Sequence, residues 1–134
     1  MSNSAPANLL EGFSSALSDL VARTAPTLVS VHSHRARSSG FVWRPNLVVT
    51  AEEALAEEGE VMVVLPGGDR AAAHLVGRDP TTDVALLRIE RDDLQAVTLD
   101  TTPVTPGALS VVVGSRDGTP YYIWATLRAR SPAH

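Results

Sequence analysis

The chain has 134 residues, no cysteine, a formal net charge of -4 and 44% apolar residues. This length predicts a single domain with its own core. The lack of cysteine excludes disulfides, thiolate metal sites and a cysteine nucleophile. No Lys/Arg stripe is interleaved with aromatic residues, so nucleic acid is not an expected partner. No apolar run approaches the ~20 residues of a membrane-spanning helix, so no membrane span is expected.

The N-terminal segment predicts a helix. Residues 1–7 have no basic stretch followed by an apolar core, so they predict a disordered lead-in rather than a signal peptide. An amphipathic helix is predicted over 8–25, with Asn8 and Glu11 as a capping box and Pro26 ending it. Its apolar residues recur at the three- and four-residue spacing of one helix face: Leu9, Leu10, Phe13, Leu17, Leu20 and Val21.

The rest of the chain predicts strands. A barrel domain is expected over 27–130, followed by a tail over 131–134. Pro66-Gly-Gly-Asp69 predicts a hairpin turn, and Asp117-Gly118 predicts another turn. Many short strands with little helix favour an antiparallel barrel or sandwich. The β-branched runs are 27–34, 40–43, 47–50, 61–65, 71–76, 84–89, 109–114 and 121–127.

Four segments carry a family resemblance: LSDLVARTAPTLVSV (17–31), SSGFVWRPNLVVTAEEAL (38–55), LVGRDPTTDVALLRIE (75–90) and PGALSVVVGSRDG (106–118). In this order they resemble the HtrA/DegP-type trypsin-like serine proteases. The second is similar to the family's Gly-Ser-Gly-Phe-Val and Val-Val-Thr-Ala-x-His, and the third to its Thr-Asp-Leu-Ala-Leu-Leu. The resemblance implies an all-β fold, a single six-stranded antiparallel trypsin-like barrel with one amphipathic helix packed on its outside. Members of this family are often extracytoplasmic.

The resemblance carries over only one member of the catalytic triad. The family's aspartate falls on Asp83, but its histidine falls on Glu53, the third residue after Thr50. The family's serine lies in a second barrel, in a Gly-Asn/Asp-Ser-Gly-Gly setting that this sequence lacks. A glutamate is ionised at neutral pH and accepts a serine proton poorly. No catalytic residue is therefore expected to function here.

Two functions follow from this comparison. The first is a catalytically inactive, protease-related domain that acts as a binding or assembly module. The alternative is the N-terminal portion of an HtrA-like serine endopeptidase whose second barrel lies outside this chain. No cofactor is expected in either case.

The residues at the family's catalytic positions also allow structural roles. Thr50 and Glu53 have the spacing of a capping box that starts a short helical turn. Asp83 is expected to accept backbone N–H groups at a strand entrance. The carboxylates around them predict a solvated rim: Glu52, Glu53, Glu57, Glu58 and Glu60.

Metal binding is not expected. His32 and His34 lie two apart on a strand and so share a face, but no third ligand is evident, and zinc needs three or four. Both are predicted to be surface histidines.

The late strand PYYIWATLRA (120–129) carries most of the aromatic residues. Tyr121, Tyr122 and Trp124 are a candidate surface for a protein partner or for self-association, in which the helix is a second candidate. The alternative is that this strand simply closes the barrel.

Overall fold

The computed structural model describes residues 4–34, 36–56 and 60–126, with side chains described within 7–121. The chain begins with helix α1 (Ser4–Thr24), followed by a 3-10 turn over Ala25–Thr27. The helix starts four residues before Asn8, so the predicted capping box is wrong, and so is a disordered lead-in that includes residues 4–7. Residues 1–3 and the predicted tail at 131–134 lie outside the described residues.

Helix α1 does not pack along the barrel as the sequence analysis expected. Leu9 is 76% exposed, Leu10 70% and Phe13 44%. Only the last turns of the helix reach the barrel, where Leu20 and Thr24 help to line a cleft. The apolar stripe of α1 is therefore largely uncovered. No helix within the described ranges is long and apolar enough to cross a membrane.

Six antiparallel strands form a closed barrel in the order β1-β2-β3-β6-β5-β4. This confirms the predicted all-β, six-stranded fold. Strands β4 and β5 are joined by the predicted Pro66–Asp69 turn, in which Leu65 N–H donates to the Asp69 carbonyl at 2.7 Å. The strands are β1 (Leu28–His32), β2 (Arg37–Arg44), β3 (Leu47–Ala51), β4 (Val61–Val64), β5 (Arg70–Asp79) and β6 (Val84–Ile89).

The barrel interior is filled by aliphatic side chains. Alternate residues of a strand point to opposite faces, so one set from each strand enters the core. Val29 and Val31 of β1, Val42 of β2, Val48 of β3 and Leu87 of β6 are at most 1% exposed. These side chains form one continuous aliphatic core inside the barrel.

Strands β7 (Leu109–Arg116) and β8 (Thr119–Thr126) form a separate hairpin outside the barrel. Asp117 at φ 51° and Gly118 at φ 87° form its two-residue turn, which needs left-handed backbone at both positions. The six barrel strands close without β8, so the alternative in which the aromatic strand closes the barrel is wrong.

A hydroxyl network holds β7 on the barrel. Ser30 Oγ and Ser39 Oγ both donate to the Ser115 carbonyl, at 2.9 and 3.2 Å, and Ser115 N–H donates to Ser39 Oγ at 2.9 Å. Gly114 permits the close approach, since a Cβ there would lie 2.7 Å from Ser39 Oγ. Hydroxyls are needed at this junction because buried backbone groups require partners. These serines have a structural role at the junction of β7 with the barrel.

The packing around Gly40 gives a stability test. A Cβ on Gly40 would lie 2.8 Å from the Val49 carbonyl oxygen, whereas one on Gly12 in α1 meets nothing within 4 Å. We expect Gly40→Ala to lower the free energy of unfolding by about 1–3 kcal/mol through overpacking. Gly12→Ala, the matched control, should raise helix propensity by about 0.5–1 kcal/mol. Urea denaturation followed by circular dichroism checks both, and a Gly40→Ala protein as stable as the wild type would contradict the tight packing.

Candidate functional site

The pairing of β3 with β6 brings Glu53 and Asp83 together. Ala51 at the end of β3 is opposite Val84 at the start of β6. The residues just after β3 and just before β6 therefore meet at one end of the barrel. Glu52 N–H donates to the Asp83 carbonyl at 3.2 Å, and Glu53 N–H donates to Asp83 Oδ1 at 2.8 Å.

Asp83 has the backbone-accepting role expected from its sequence context. It is half-buried and has φ 58°, a left-handed conformation that aspartate tolerates better than most residues. Its carboxylate fixes the first turn after β3, a 3-10 turn over Glu52–Ala54. The Glu53 side chain is exposed. The backbone of Glu53 is thus coupled directly to the Asp83 side chain, and the Glu53 side chain ends in an exposed carboxylate.

A short acidic turn leads the chain into Asp83. Asp79 Oδ2 accepts a bond from the Thr82 hydroxyl at 2.8 Å, and Asp79 Oδ1 accepts one from Thr81 N–H at 2.9 Å. The Thr82 hydroxyl, followed by Thr81 N–H, lowers the pKa of Asp79 from its usual value. This contribution to turn stability is present at neutral pH and is lost as the pH falls through the lowered pKa.

The predicted capping box at Thr50 is wrong. Thr50 lies within β3, and its hydroxyl donates to the Ser39 carbonyl at 2.9 Å. The residue before the 3-10 turn is Ala51, which offers no side-chain cap. The register between β2 and β3 determines that the Thr50 hydroxyl bonds to Ser39. The spacing of residues along the chain does not reveal this partner.

The acidic rim is not uniformly solvated. Glu52 is half-buried and forms an ion pair with Arg78 of β5, with 2.7 Å between Glu52 Oε1 and Arg78 Nη2. Arg78 also donates to the Leu55 and Ala56 carbonyls at 3.4 and 3.3 Å. Glu53 and Glu60 are exposed as expected, and Glu57 and Glu58 lie outside the described residues. Arg78 was not singled out from sequence, and it anchors the whole 52–56 segment.

Within the side chains that the structure describes, no histidine lies within ion-pair distance of Asp83. His74 lies 3.6 Å from Glu90 on the far part of the barrel, and His34 is exposed as predicted. The prediction that His32 is a surface histidine is wrong. Its side chain is 13% exposed, and its Nε2 lies 3.0 Å from Asp117 Oδ1.

The His32–Asp117 pair joins the barrel to the turn of the β7–β8 hairpin. Arg37 Nη1 lies 3.7 Å from the other Asp117 carboxylate oxygen, which adds a second, more exposed contact. The pair borders a cavity of about 290 Å³ that also includes Ser30, Ser115 and Tyr121. The sequence marked Asp117 only as a turn residue and His32 only as a surface histidine, and it gave no signal for their pairing because they are far apart in the chain.

An open groove runs from Asp83 across the outer face of β2 and β3 to β7. Its volume is about 350 Å³, and apolar side chains dominate its lining. Val84, at its edge beside Asp83, is 42% exposed. The residues that define this groove are Phe41, Val49, Thr50, Asp83, Val84 and Val113.

The candidate association surface in β8 is only partly described. Tyr121 is 47% exposed, and the Arg116 guanidinium carbon lies 5.3 Å from the centroid of its ring. Tyr122 and Trp124 lie in the strand, but their side chains are outside the described residues. Their role as an association surface stays a prediction.

Metal-binding clusters are missing from the part of the chain that the structure describes. No group of three or more His, Asp or Glu side chains there could hold a metal ion. His32 is occupied by Asp117 and does not share a site with exposed His34.

The trypsin-like peptidase domain model matches residues 38–130, and the chain belongs to this family. Its relatives are of the HtrA/DegP type. A "Probable periplasmic serine endoprotease DegP-like" of Pseudomonas fluorescens is 32% identical over 125 residues, covering 88% of this chain and 26% of the relative. "Serine protease HTRA2, mitochondrial" of Bos taurus is 33% identical over 113 residues, covering 74% of this chain and 25% of the relative. The chain therefore spans about a quarter of the length of these relatives.

Solved structures agree with this family. The Rv3671c protease in an inactive form superposes with a TM-score of 0.73 at 29% identity, covering 83% of this chain and 56% of that one. A serine endoprotease from Yersinia pestis has a TM-score of 0.73 at 22% identity, covering 81% of this chain and 43% of that one, and shows the fold alone. The chain corresponds to about half of each solved structure.

The contacts of Arg78 predict that its removal loosens residues 52–56. Removing the guanidinium in Arg78→Ala leaves Glu52 half-buried without its cation, and bonds to charged groups contribute about 1.5–3 kcal/mol each. We expect the free energy of unfolding to fall by about 1–3 kcal/mol and cleavage by a Glu-specific protease after Glu52 or Glu53 to accelerate. Arg88→Ala, at an exposed position of β6, is the charge-matched control. Equal cleavage rates in the two variants would argue against the anchor.

Two substitutions of Asp117 separate the effect of its charge on stability from the effect of its left-handed backbone conformation. Asp117→Asn keeps a residue that tolerates φ 51° but removes the charge facing His32, so we expect a loss of at most about 1 kcal/mol for this half-exposed pair. Asp117→Ala should lose about 1 kcal/mol more, because alanine is strained in the left-handed region. Hydrogen exchange of the β7 amides measures the release of the hairpin. Unchanged β7 exchange in both variants would contradict this role of Asp117.

Proposed function

We propose that this chain is a trypsin-like domain that does not hydrolyse peptide bonds and acts as a protein-binding and assembly module. One observation carries the first half of the proposal. The sequence resemblance aligns Glu53 with the histidine of the HtrA-type family, and Asp83 Oδ1 accepts the backbone N–H of Glu53.

The chemistry of a serine protease requires a division of roles. An imidazole takes the serine proton, an aspartate orients the imidazole, and backbone N–H groups stabilise the oxyanion. Asp83 is in position to orient a partner, but the side chain at position 53 is an exposed carboxylate. A carboxylate ionised at neutral pH is a weak base towards a hydroxyl group. The aspartate therefore lacks a proton shuttle to act through.

The binding role is supported by apolar surface that the described residues leave open. Helix α1, the groove beside Asp83, and exposed residues of β7 such as Leu109 and Val112 all present apolar side chains. Contiguous apolar surface on a folded domain marks sites of protein association.

The groove also favours a second candidate function, the N-terminal portion of a serine endopeptidase. In the two-barrel family the second barrel supplies the serine, and the open groove runs directly from Asp83. The relatives that share this fold carry the name of serine endoprotease. For this candidate, another residue must replace the function of the imidazole at position 53.

Fluorophosphonate labelling of the full-length gene product distinguishes the two functions. The reagent reacts with an activated serine, and loss of the general base removes about 10²–10⁴-fold of reactivity. We expect no labelling of the wild-type protein, with trypsin as the positive control for the reagent.

Two variants show whether position 53 alone is responsible. Glu53→His places an imidazole next to Asp83, and Glu60→His makes the same change at an exposed acidic residue nearby. If the rest of the polypeptide supplies the serine, labelling should appear in Glu53→His and not in Glu60→His. Clear labelling of the wild type would overturn the proposal and establish the endopeptidase.

A further inference from the structure

A polar pocket lies where the turn of the β7–β8 hairpin meets the barrel, and we call it the turn pocket. Its volume is about 290 Å³, and its lining comes from β1, β2 and the hairpin. This volume is near the lower end of the ~300–1,000 Å³ of small-molecule sites. None of its described lining residues also lines the groove beside Asp83. The turn pocket is therefore a separate site from that groove.

Positive charge exceeds negative charge in the turn pocket. Arg37 of β2 and Arg116 of β7 each contribute a guanidinium group, and Asp117 is the one carboxylate among the described lining residues. His32 Nε2 lies 3.0 Å from Asp117 Oδ1, so this carboxylate already has a close partner. Two guanidinium groups against one carboxylate leave an excess of one positive charge, in a chain whose formal net charge is -4. The pocket is thus a local attraction for an anion.

The two guanidinium groups keep most of their N–H donors for a ligand. Arg37 Nη1 lies 3.7 Å from Asp117 Oδ2, which is longer than a hydrogen bond, and the Arg37 side chain is 73% exposed. The Arg116 guanidinium carbon lies 5.3 Å from the centroid of the Tyr121 ring. Contact with the face of an aromatic ring orients a guanidinium group without occupying the donors at its edge.

A buried hydroxyl group adds a third donor to the pocket. Ser115 is 6% exposed, and its Oγ accepts a hydrogen bond from Ser30 Oγ at 3.1 Å. Ser30 Oγ also donates to the Ser115 carbonyl at 2.9 Å, so the single hydroxyl hydrogen of Ser30 serves both bonds. Neither bond uses the hydroxyl hydrogen of Ser115. That hydrogen remains to be donated to a ligand in the pocket that Ser115 lines.

We propose that the turn pocket binds the phosphate group of inorganic phosphate or of a small phosphomonoester. Guanidinium groups bind phosphate oxygens through paired, charge-assisted hydrogen bonds. Donors from Arg37, Arg116 and Ser115 come from two different strands and line one small space. A phosphate group presents more acceptor oxygens than a carboxylate does, so this number of donors favours phosphate.

A metal ion is a poorer occupant of the same space. The pocket has one carboxylate and two fixed positive charges among its described lining residues. No group of three or more His, Asp or Glu side chains in the described part of the chain could hold a metal ion.

A bound phosphate group would tie the hairpin to the barrel. Arg37 belongs to β2 and Arg116 to β7, so a ligand held by both bridges the same two layers that Ser39 and Ser115 already join. A ligand that binds only the folded protein stabilises it by mass action. This inference goes beyond the proposed function and does not depend on the residue at position 53, so the outcome of the fluorophosphonate labelling leaves it untouched.

A titration followed by nuclear magnetic resonance of the 134-residue chain tests the site. Inorganic phosphate, glycerol 3-phosphate and acetate are added separately, each against sodium chloride at the same ionic strength. We expect saturable binding of one phosphate group per chain, with the amide signals of Ser115, Arg116 and Asp117 shifting together. Acetate should bind more weakly than inorganic phosphate.

Substitutions in the lining test which side chains hold the ligand. Arg37→Gln and Arg116→Gln should each weaken phosphate binding about tenfold or more, because each removes charge-assisted hydrogen bonds. Arg88→Gln, at an exposed position of β6, makes the same change elsewhere on the barrel and should leave the affinity unchanged.

Two further variants separate loss of the ligand from loss of the fold. Ser115→Ala removes the hydroxyl donor but keeps the main-chain bonds of residue 115 to Ser30 and Ser39, so the affinity should fall about three- to tenfold while urea denaturation changes little. Arg37→Lys keeps the charge but not the paired donors, and should also weaken binding in a folded protein.

Each outcome of the titrations decides the proposal. Absence of saturable binding at millimolar phosphate would overturn it, and so would equal affinities in the wild type, Arg37→Gln, Arg116→Gln and Arg88→Gln, since binding would then follow general charge. Tighter binding of acetate would also overturn it and assign the pocket to a carboxylate ligand. Tighter binding of glycerol 3-phosphate than of inorganic phosphate supports a small phosphomonoester as the ligand, and the opposite order supports free phosphate.

Discussion

The antiparallel pairing of β3 with β6 is the contact on which the rest of this structure depends. These strands are not neighbours in sequence, yet their register joins Leu47 to Arg88 and Ala51 to Val84, and it completes the barrel. The same register sets Glu52 and Glu53 against Asp83. A shift of one residue would turn Val48 and Leu87 out of the core, so packing holds the site in place. The register that packs the core therefore also positions Glu52, Glu53 and Asp83.

The hairpin outside the barrel shows how a second layer is attached without an extended apolar interface. Ser30, Ser39 and Ser115 exchange short hydrogen bonds across a close approach at Gly114, and His32 adds a contact to Asp117. These polar contacts fix β7 at one edge of the groove while its apolar residues remain partly exposed. The barrel itself is closed, and apolar side chains of β7 such as Leu109 and Val112 remain exposed outside it.

The fold was accessible from sequence because its signals are local. Alternating β-branched runs and the Pro66–Asp69 turn predicted the strands, and all eight runs form strands. The capping box predicted at Thr50 was wrong, because the Thr50 hydroxyl donates to the Ser39 carbonyl on the neighbouring strand. The burial of His32 was missed for a similar reason, since its partner Asp117 is contributed by a different layer. In each case the deciding neighbour is distant in sequence.

The sequence by itself determined the strand pattern and the resemblance to the family, and it singled out Glu53 and Asp83. These depend on side-chain periodicity and on residue types, which a chain carries whether or not it is folded. Only the tertiary structure decided that Asp83 binds the backbone of Glu53, that Arg78 covers Glu52, and that the stripe of α1 is left open. The first two outcomes require residues from different strands to meet, and the closure of the barrel is what brings them together.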